Sequence, residues 1–335
     1  MSGPRARLSA LCALALLVSF TSGGDHAAGQ APTASGTPSA PAPAPTPTPG
    51  PAPAAPAGSP VVVHTAVYVL NVGRLDTQSG EFTVDFYITL TCDRPCAAGN
   101  FEFMNGRAIS SDLQTDEPTQ KLYRIQAALT TNVDVRGYPF DRHLLPIMIE
   151  DREIPSGGLV YQPDTRLSGI DPAVTVGGWV LAGWDASVSD HYYAPWDDSW
   201  SRYEFNVIIE RGLVSGLFKA LLPGFLIVAS GFLALLLGPD MLIHRLGINT
   251  SAIVGAILFH INLTSQVPPV GYLTFADKFM LANYFGLIGA LLATVVLMVI
   301  GPDARPAATR RIHLISRATI PLAWLAAVAV AVITF

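Results

Sequence analysis

Three groups of residues in this chain have chemistry to offer. The first is DHYYAPWDDSWSRY at 190–203, where Tyr192, Tyr193, Trp196, Trp200 and Tyr203 are interleaved with Asp190, Asp197 and Asp198. Aromatic faces attract cations through their quadrupoles and carboxylates add formal charge, so the set suits an amine cation. Packing at a β-sheet edge is the competing reading for any single ring. The second is His260, an imidazole inside an apolar stretch. It reads either as a proton switch titrating near neutral pH or as a buried ring bonded to a backbone carbonyl. The third is the stretch carrying that histidine, LGINTSAIVGAILFHINLTS at 246–265. At 3.6 residues per turn, Gly247, Ser251, Val254, Leu258, Ile261 and Ser265 share one stripe, polar at its ends and apolar in its middle. Such a stripe can line a narrow aqueous path with a dewetting constriction. Small residues that let neighbouring helices approach closely would give the same pattern. On the same wheel His260 points about 200° from Leu258, toward neighbouring helices.

Other chemistries lack their residues. No Gly-rich phosphate loop, HExxH or Ser–His–Asp set can be placed. Cys92 and Cys96, in CDRPC, have no companion histidine for zinc and suit a small disulfide-closed loop outside the cytoplasm. No enzyme activity, cofactor or metal is expected. Between Pro60 and Gly212 there are 21 acidic and 11 basic side chains, a net charge of −10. A field of that sign repels nucleic acid and enriches cations.

The positioning elements are legible from hydropathy. Half of the 335 residues are hydrophobic and 13% are charged. Four apolar runs, 217–237, 246–265, 279–300 and 314–335, are long enough to cross a hydrocarbon core of about 30 Å as helices. Residues 1–23 read as a secretory signal, with Arg5 and Arg7 before the short apolar run Leu8–Phe20; Cys12 falls within it. Residues 24–60 read as a disordered Pro/Ala-rich spacer, since 11 of the 27 prolines lie between Ala31 and Pro60.

Residues 61–212 read as an extracytoplasmic antiparallel β-sandwich of the immunoglobulin-like kind. Glu81–Thr91 alternates apolar and polar residues with the period of a half-buried strand. Further strands are expected at 61–71, 122–135, 144–150, 179–189 and 202–210, separated by Gly-containing turns. Residues 213–335 form the membrane part. With a secreted N-terminus, the turns at 238–245 and 301–313 face inward with Arg245, Arg305, Arg310 and Arg311, while 266–278 faces outward with only Lys278. That agrees with the positive-inside rule and leaves the C-terminus outside.

Together these residues resemble the prokaryotic branch of the pentameric ligand-gated ion channels, the Cys-loop receptor superfamily. Four features carry the likeness. VDVRGYPFDRHLL at 133–145 is similar to the signature loop, with Tyr138 in place of its first Phe and Pro139, Phe140 and Asp141 matching. Arg211 stands just before the first helix and Pro223 within it. RLGINTSAIVGAILFHINLTSQVPPVGYLTFADKFMLANY at 245–284 is similar to the pore helix, the proline-containing outer loop and the third helix. The positions of the signature-loop cysteines of animal receptors are Thr131 and Leu145 here. The likeness covers residues 61–335.

The resemblance implies a homopentamer in a bilayer, the bacterial inner membrane, with the second helix of each subunit lining a path for inorganic ions. The stripe from Gly247 to Ser265 is then the pore face. Asp240 and His244 are the selectivity candidates: five Asp240 carboxylates favour cations and five His244 oppose them. Asp76, Asp141 and Arg211 are implied to meet above the membrane, with Tyr138, Pro139 and Phe140 against the outer loop that begins at Pro268. The aromatic stretch at 190–203 falls at the capping loop over a site for a small-molecule agonist; protons are the other stimulus. A membrane-tethered sensory β-sandwich that conducts nothing is the alternative.

Overall fold

A computed structural model describes residues 58–95 and 98–334. The expected signal, nearly all of the spacer, and Cys96 lie outside the described residues. The described residues belong to one compact unit, Ala54–Phe335, which begins as β-sheet and ends as helix.

Among the described residues ten strands come first: β1 (Val61–Val72), β2 (Glu81–Cys92), β3 (Phe101–Phe103), β4 (Gly106–Asp116), β5 (Gln120–Thr130), β6 (Arg142–Asp151), β7 (Leu159–Pro163), β8 (Gly169–Ile170), β9 (Val180–Tyr193) and β10 (Asp198–Glu210). One sheet has the order β4-β5-β2-β1-β7 with β8 also on β1, and the other has the order β3-β6-β10-β9. Most pairs are antiparallel, but β7 and β8 join β1 in parallel. The two sheets close on one core. Phe82, Val84, Phe86, Ile88 and Leu90 of β2 enter from one side; Leu145, Ile147, Ile149, Phe205 and Val207 enter from the other. The alternation read from β2 is therefore its burial pattern, since successive side chains point to opposite faces.

Two strand expectations need correction. The strand expected over 122–135 ends at Thr130, because the N–H of Thr131 turns to the carbonyl of Gly80 and the chain leaves for the loop at 133–141. β3, β4, β7 and β8 were not among the expected strands, and β4 is the longest of them. It is exposed along nearly its whole length and carries no apolar period to betray it.

Among the described residues, four helices are long and apolar enough to cross a membrane: α1 (Leu213–Leu236), α2 (Leu242–Thr264), α3 (Phe275–Ile300) and α4 (Pro306–Ile333). Within α1, a wide π turn at Leu217–Leu221 precedes Pro223. Proline offers no N–H to the carbonyl one turn back, and the wide turn sits where that bond is missing. α3 starts in a capping box: Thr274 Oγ1 accepts from Asp277 N, and Asp277 Oδ2 accepts from Thr274 N. It packs against α1, α2 and α4. Side-chain bonds tie it in, among them Asn249 Nδ2 to Thr294 Oγ1 at 3.1 Å and Trp324 Nε1 to Asn283 Oδ1 at 3.0 Å.

All four helices begin before the apolar runs do. α2 starts at Leu242, so His244 lies inside it. Arg245 is no loop charge: it is fully buried, with Nη1 3.4 Å from His313 Nδ1 of α4. α4 starts at Pro306, so Arg310 and Arg311 stand on a helix rather than in a loop. Proline at the first position and two alanines favour helix there, whereas hydropathy only rises later.

Candidate functional site

The stripe on α2 is uncovered in the single chain. Gly247, Ser251 and Ser265 are exposed, and Val254, Leu258 and Ile261 are 55%, 63% and 61% exposed. The other side of the same helix, Arg245, Asn249, Ala252, Ala256 and Leu263, is buried against the bundle. Small alanines there let α1 and α3 approach closely. Asp240 and His244 are exposed at the start of α2, on the side away from the sandwich.

His260 faces α3, and its partners are side chains rather than the backbone carbonyl considered for a buried ring. Nε2 lies 3.0 Å from Asp277 Oδ1 and Nδ1 lies 3.1 Å from the Tyr284 hydroxyl. Asp277 and Tyr284 are seven residues apart, two turns on one face of α3. Asp277 thus serves two helices, receiving His260 on one oxygen and capping α3 with the other. The Tyr284 hydroxyl is also 3.4 Å from the Ala256 carbonyl of α2. Sequence reading found His260 and missed both partners. The pattern Thr274-x-x-Asp277, a capping box ahead of an apolar run, was the available signal.

Where the sheets meet the helices, Asp141 and Arg211 are brought together. Arg211 Nε is 2.8 Å and Nη2 is 3.3 Å from the two carboxylate oxygens, and the Arg211 backbone N–H donates to the Asp141 carbonyl. The Asp141 side chain is 0% exposed and that of Arg211 22%. His143 Nε2 completes the set, 2.7 Å from Asp141 Oδ2. Burial pushes the Asp141 carboxyl up, but the hydrogen bonds from His143 and Arg211 outweigh it and hold it below the usual carboxylate range. The guanidinium also lies over two rings, 4.4 Å from the centre of Trp179 and 5.0 Å from that of Tyr138.

Asp76 does not join this pair. Its carboxylate is turned into its own loop, accepting from Gln78 N and Ser79 Oγ at 2.9 Å each. Those bonds, the Gln78 N–H first, lower its carboxyl. The turn reaches the helices through a neighbour instead: Gln78 Nε2 donates to the Val267 carbonyl at 3.0 Å, next to Pro268.

The loop at 133–141 grips the start of α3 through its backbone. Phe275 N donates to the Arg136 carbonyl at 2.8 Å and Ala276 N to the Tyr138 carbonyl at 3.0 Å. The Tyr272 hydroxyl is bonded to Val135 N and Asp134, and the Phe140 and Phe275 rings are 5.9 Å apart. The Tyr138–Pro139 bond is cis. The next carbonyl, that of Pro139, faces Gly216 of α1, where a Cβ would lie 2.7 Å from it.

The aromatic stretch lies on the β9–β10 hairpin. Tyr193, Trp196 and Trp200 form a cluster with centroids 5.3 to 5.9 Å apart. They border a cavity of about 480 Å³ that also meets Glu102, Glu150, Asp151, Arg152 and Asp198. Glu150 is buried, held by Arg202 Nε at 2.6 Å and by the Tyr193 hydroxyl at 3.0 Å. Burial, then this bond to Glu150, pushes the Tyr193 phenol up. Tyr192 is exposed and bonded to Asp197 at 2.8 Å, outside the cavity. Tyr203 is fully buried in the sandwich core, so it leaves the candidate set. Sequence reading missed Glu150 and Asp151, the two buried carboxylates of the cavity, because they follow the apolar run Leu144–Ile149 at the end of β6. Cys92 is disulfide-bonded.

No family model matches the chain. It is similar to a "Proton-gated ion channel" of Gloeobacter violaceus, with 22% identity over 297 residues, covering 81% of this chain and 82% of that protein.

Proposed function

We propose that five copies of this chain surround an ion path lined by α2, opened by a signal received on the sandwich side of the membrane. One observation carries the reading: α2 leaves uncovered a stripe with hydroxyls at its ends and three large apolar side chains in its middle. Lipid would gain nothing from the serines, whereas a water-filled path uses them. Rings of Val254, Leu258 and Ile261 then expel water from a narrow closed state and bar ions without a plug. The similarity to a protein named for proton-gated conduction, spread over most of both chains, supports the same reading. No catalytic step is assigned.

Coupling passes through the loops that touch. Displacement of the signature loop, bonded to the first turn of α3 and to Arg211, moves the α2–α3 loop and tilts α2. Two stimuli have sites. The cavity under Tyr193, Trp196 and Trp200, with its carboxylates, fits a small organic cation. His260 is the proton site. With Asp277 ionised, the imidazole carries its proton on Nε2, and Nδ1 accepts from Tyr284. A second proton reverses that bond: Nδ1–H donates to the Tyr284 oxygen, whose own proton turns to the Ala256 carbonyl within reach on α2. Rings of Asp240 at the far mouth, with the −10 sandwich at the near one, favour cations, with His244 opposing. Signal removal, the inner-membrane address and the outward C-terminus complete the proposal.

Planar bilayers containing the purified protein, with pH steps and a panel of amines, test it. Current that follows either stimulus is the expected result. Silence at every pH and amine, with cysteines at 251, 254 and 258 sealed from aqueous thiol reagents, overturns it in favour of a non-conducting sensor. A His260→Gln channel whose pH response is unchanged removes the proton arm alone.

A further inference from the structure

One cation inside the helices has no counter-charge. Arg245, in the first turn of α2, is fully buried, and its Nη1 donates to His313 Nδ1 of α4 at 3.4 Å. Among the described residues, Nε and Nη2 meet no hydrogen-bond partner and no salt bridge includes Arg245. Acids are scarce here. Residues 213–335 hold three: Asp277 is bonded to His260, and Asp240 and Asp303 are exposed. The helix ends add to the excess. α2 and α4 both begin on the side away from the sandwich, and neither has a side-chain cap or an acid in its first turn. Each N-terminus is worth roughly half a positive charge, so α2 itself disfavours a cation there. Thr309, one turn before His313 on the same face of α4, is buried with its hydroxyl unpartnered among the described residues. α2 and α4 each pack on α3, and Arg245 spans the gap between them.

We propose that a monatomic anion, chloride in kind, binds in this gap, held by the Nε–H and Nη2–H of Arg245 and by the Thr309 hydroxyl. A guanidinium keeps its charge, and a buried charge left without its opposite is strongly unfavourable. Water would complete the missing hydrogen bonds, including one to Asn249 Oδ1, an unpartnered acceptor one turn along α2, but it brings no charge. An anion brings both charge and acceptor, and the two helix N-termini favour it. Size narrows the class. Five cavities of about 370 to 720 Å³ are lined by other residues and include neither Arg245 nor Thr309. A single-atom ion needs no such space, whereas an organic acid or a phosphate ester does. The ion ties the roots of α2 and α4 together. The inference needs only the burial of Arg245 and not that the protein conducts.

The test uses the full chain in neutral detergent. Melting temperature is followed as sodium chloride or sodium bromide replaces sodium gluconate, an anion too large for the gap, at constant ionic strength. Crystals grown in bromide are searched for its anomalous scattering. Each tenfold rise in halide above half-saturation should lift the melting temperature by roughly 3–5 °C. Bromide should appear within hydrogen-bond distance of Arg245 Nε or Nη2. T309V keeps the side-chain shape and the guanidinium, and should raise the half-saturating halide concentration roughly tenfold. R245M should abolish the halide response, and R107Q, a charge removed from exposed β4, should keep it. If R245M does not fold, T309V and the bromide map decide. Equal melting in halide and gluconate overturns the inference, as does a bromide map empty at Arg245. A T309V titration that superimposes on the wild type, or an R245M protein that folds and still responds, overturns it too. None of these readouts depends on current, so failure here leaves the channel reading standing.

Discussion

Replacing Asp141 with Asn isolates the ion pair at the junction of sandwich and helices. The substitution keeps the shape of the side chain and removes its charge. It weakens two bonds from Arg211, at 2.8 and 3.3 Å, and one from His143 at 2.7 Å. With the carboxylate fully buried and the guanidinium mostly so, breaking the pair leaves a cation without its counter-charge, at a cost of about 3–5 kcal/mol. At about 2–4 °C per kcal/mol, the scale for a chain somewhat smaller than this one, the melting temperature should fall by up to roughly 6–20 °C. The assay is thermal unfolding of the purified protein in detergent, for the single variants D141N and R211Q and the double variant. The double should lose clearly less than the sum of the singles, with a coupling of about 0.5–3 kcal/mol. The pH dependence has a definite sign. Because the folded carboxyl is depressed, its contribution is complete above the unfolded value near 3.9 and is lost as pH falls through the lower folded value. The gap between wild type and D141N should therefore be flat from neutral pH to about 5 and narrow in stronger acid. A D141N protein that melts with the wild type, or a double variant that loses the full sum, would refute the reasoning.

Other outcomes follow from the same geometry. Gly216→Ala places a Cβ 2.7 Å from the Pro139 carbonyl, so α1 or the loop at 133–141 must shift, and the melting temperature should drop by an amount worth about 1–3 kcal/mol. Leu258→Thr puts a hydroxyl into the middle of the apolar stripe, and bilayer recordings should show current without stimulus. Cysteines at 251, 254 and 258 should react with an aqueous thiol reagent in at least one state, whereas one at the buried position 256 should not. Tyr193→Phe removes one of the two ligands of Glu150 while Arg202 keeps the other, so the fold should lose only about 1 kcal/mol. Calorimetric titration with an amine that binds the wild type should then show weakened affinity.

What the sequence disclosed and what it hid divide along physical lines. β2 and the four helices were legible because burial imposes a period or a long apolar run on the residues themselves. β4 was hidden because an exposed edge strand is under no such constraint, and the first turns of α4 were hidden because helix begins there before hydrophobicity does. The same split runs through the candidate site. The α2 stripe and His260 could be named from residue types in order, and the Asp141–Arg211 pair from the family resemblance. Asp277, Tyr284 and Glu150 could not, since each gains its meaning from a partner on another element. Asp76 shows the reverse error: a carboxylate in the right loop that spends both oxygens on its own turn.

The passage from β10 to α1 has almost no slack. The strand ends at Glu210, the helix begins at Leu213, and Arg211 is fastened to Asp141 by both its backbone and its side chain. Only Gly212 is left to absorb a change of direction. A twist of the hairpin far above the bilayer therefore reaches the first helix as torque at its root, much as a short stiff shaft carries rotation with no loose coupling along its length.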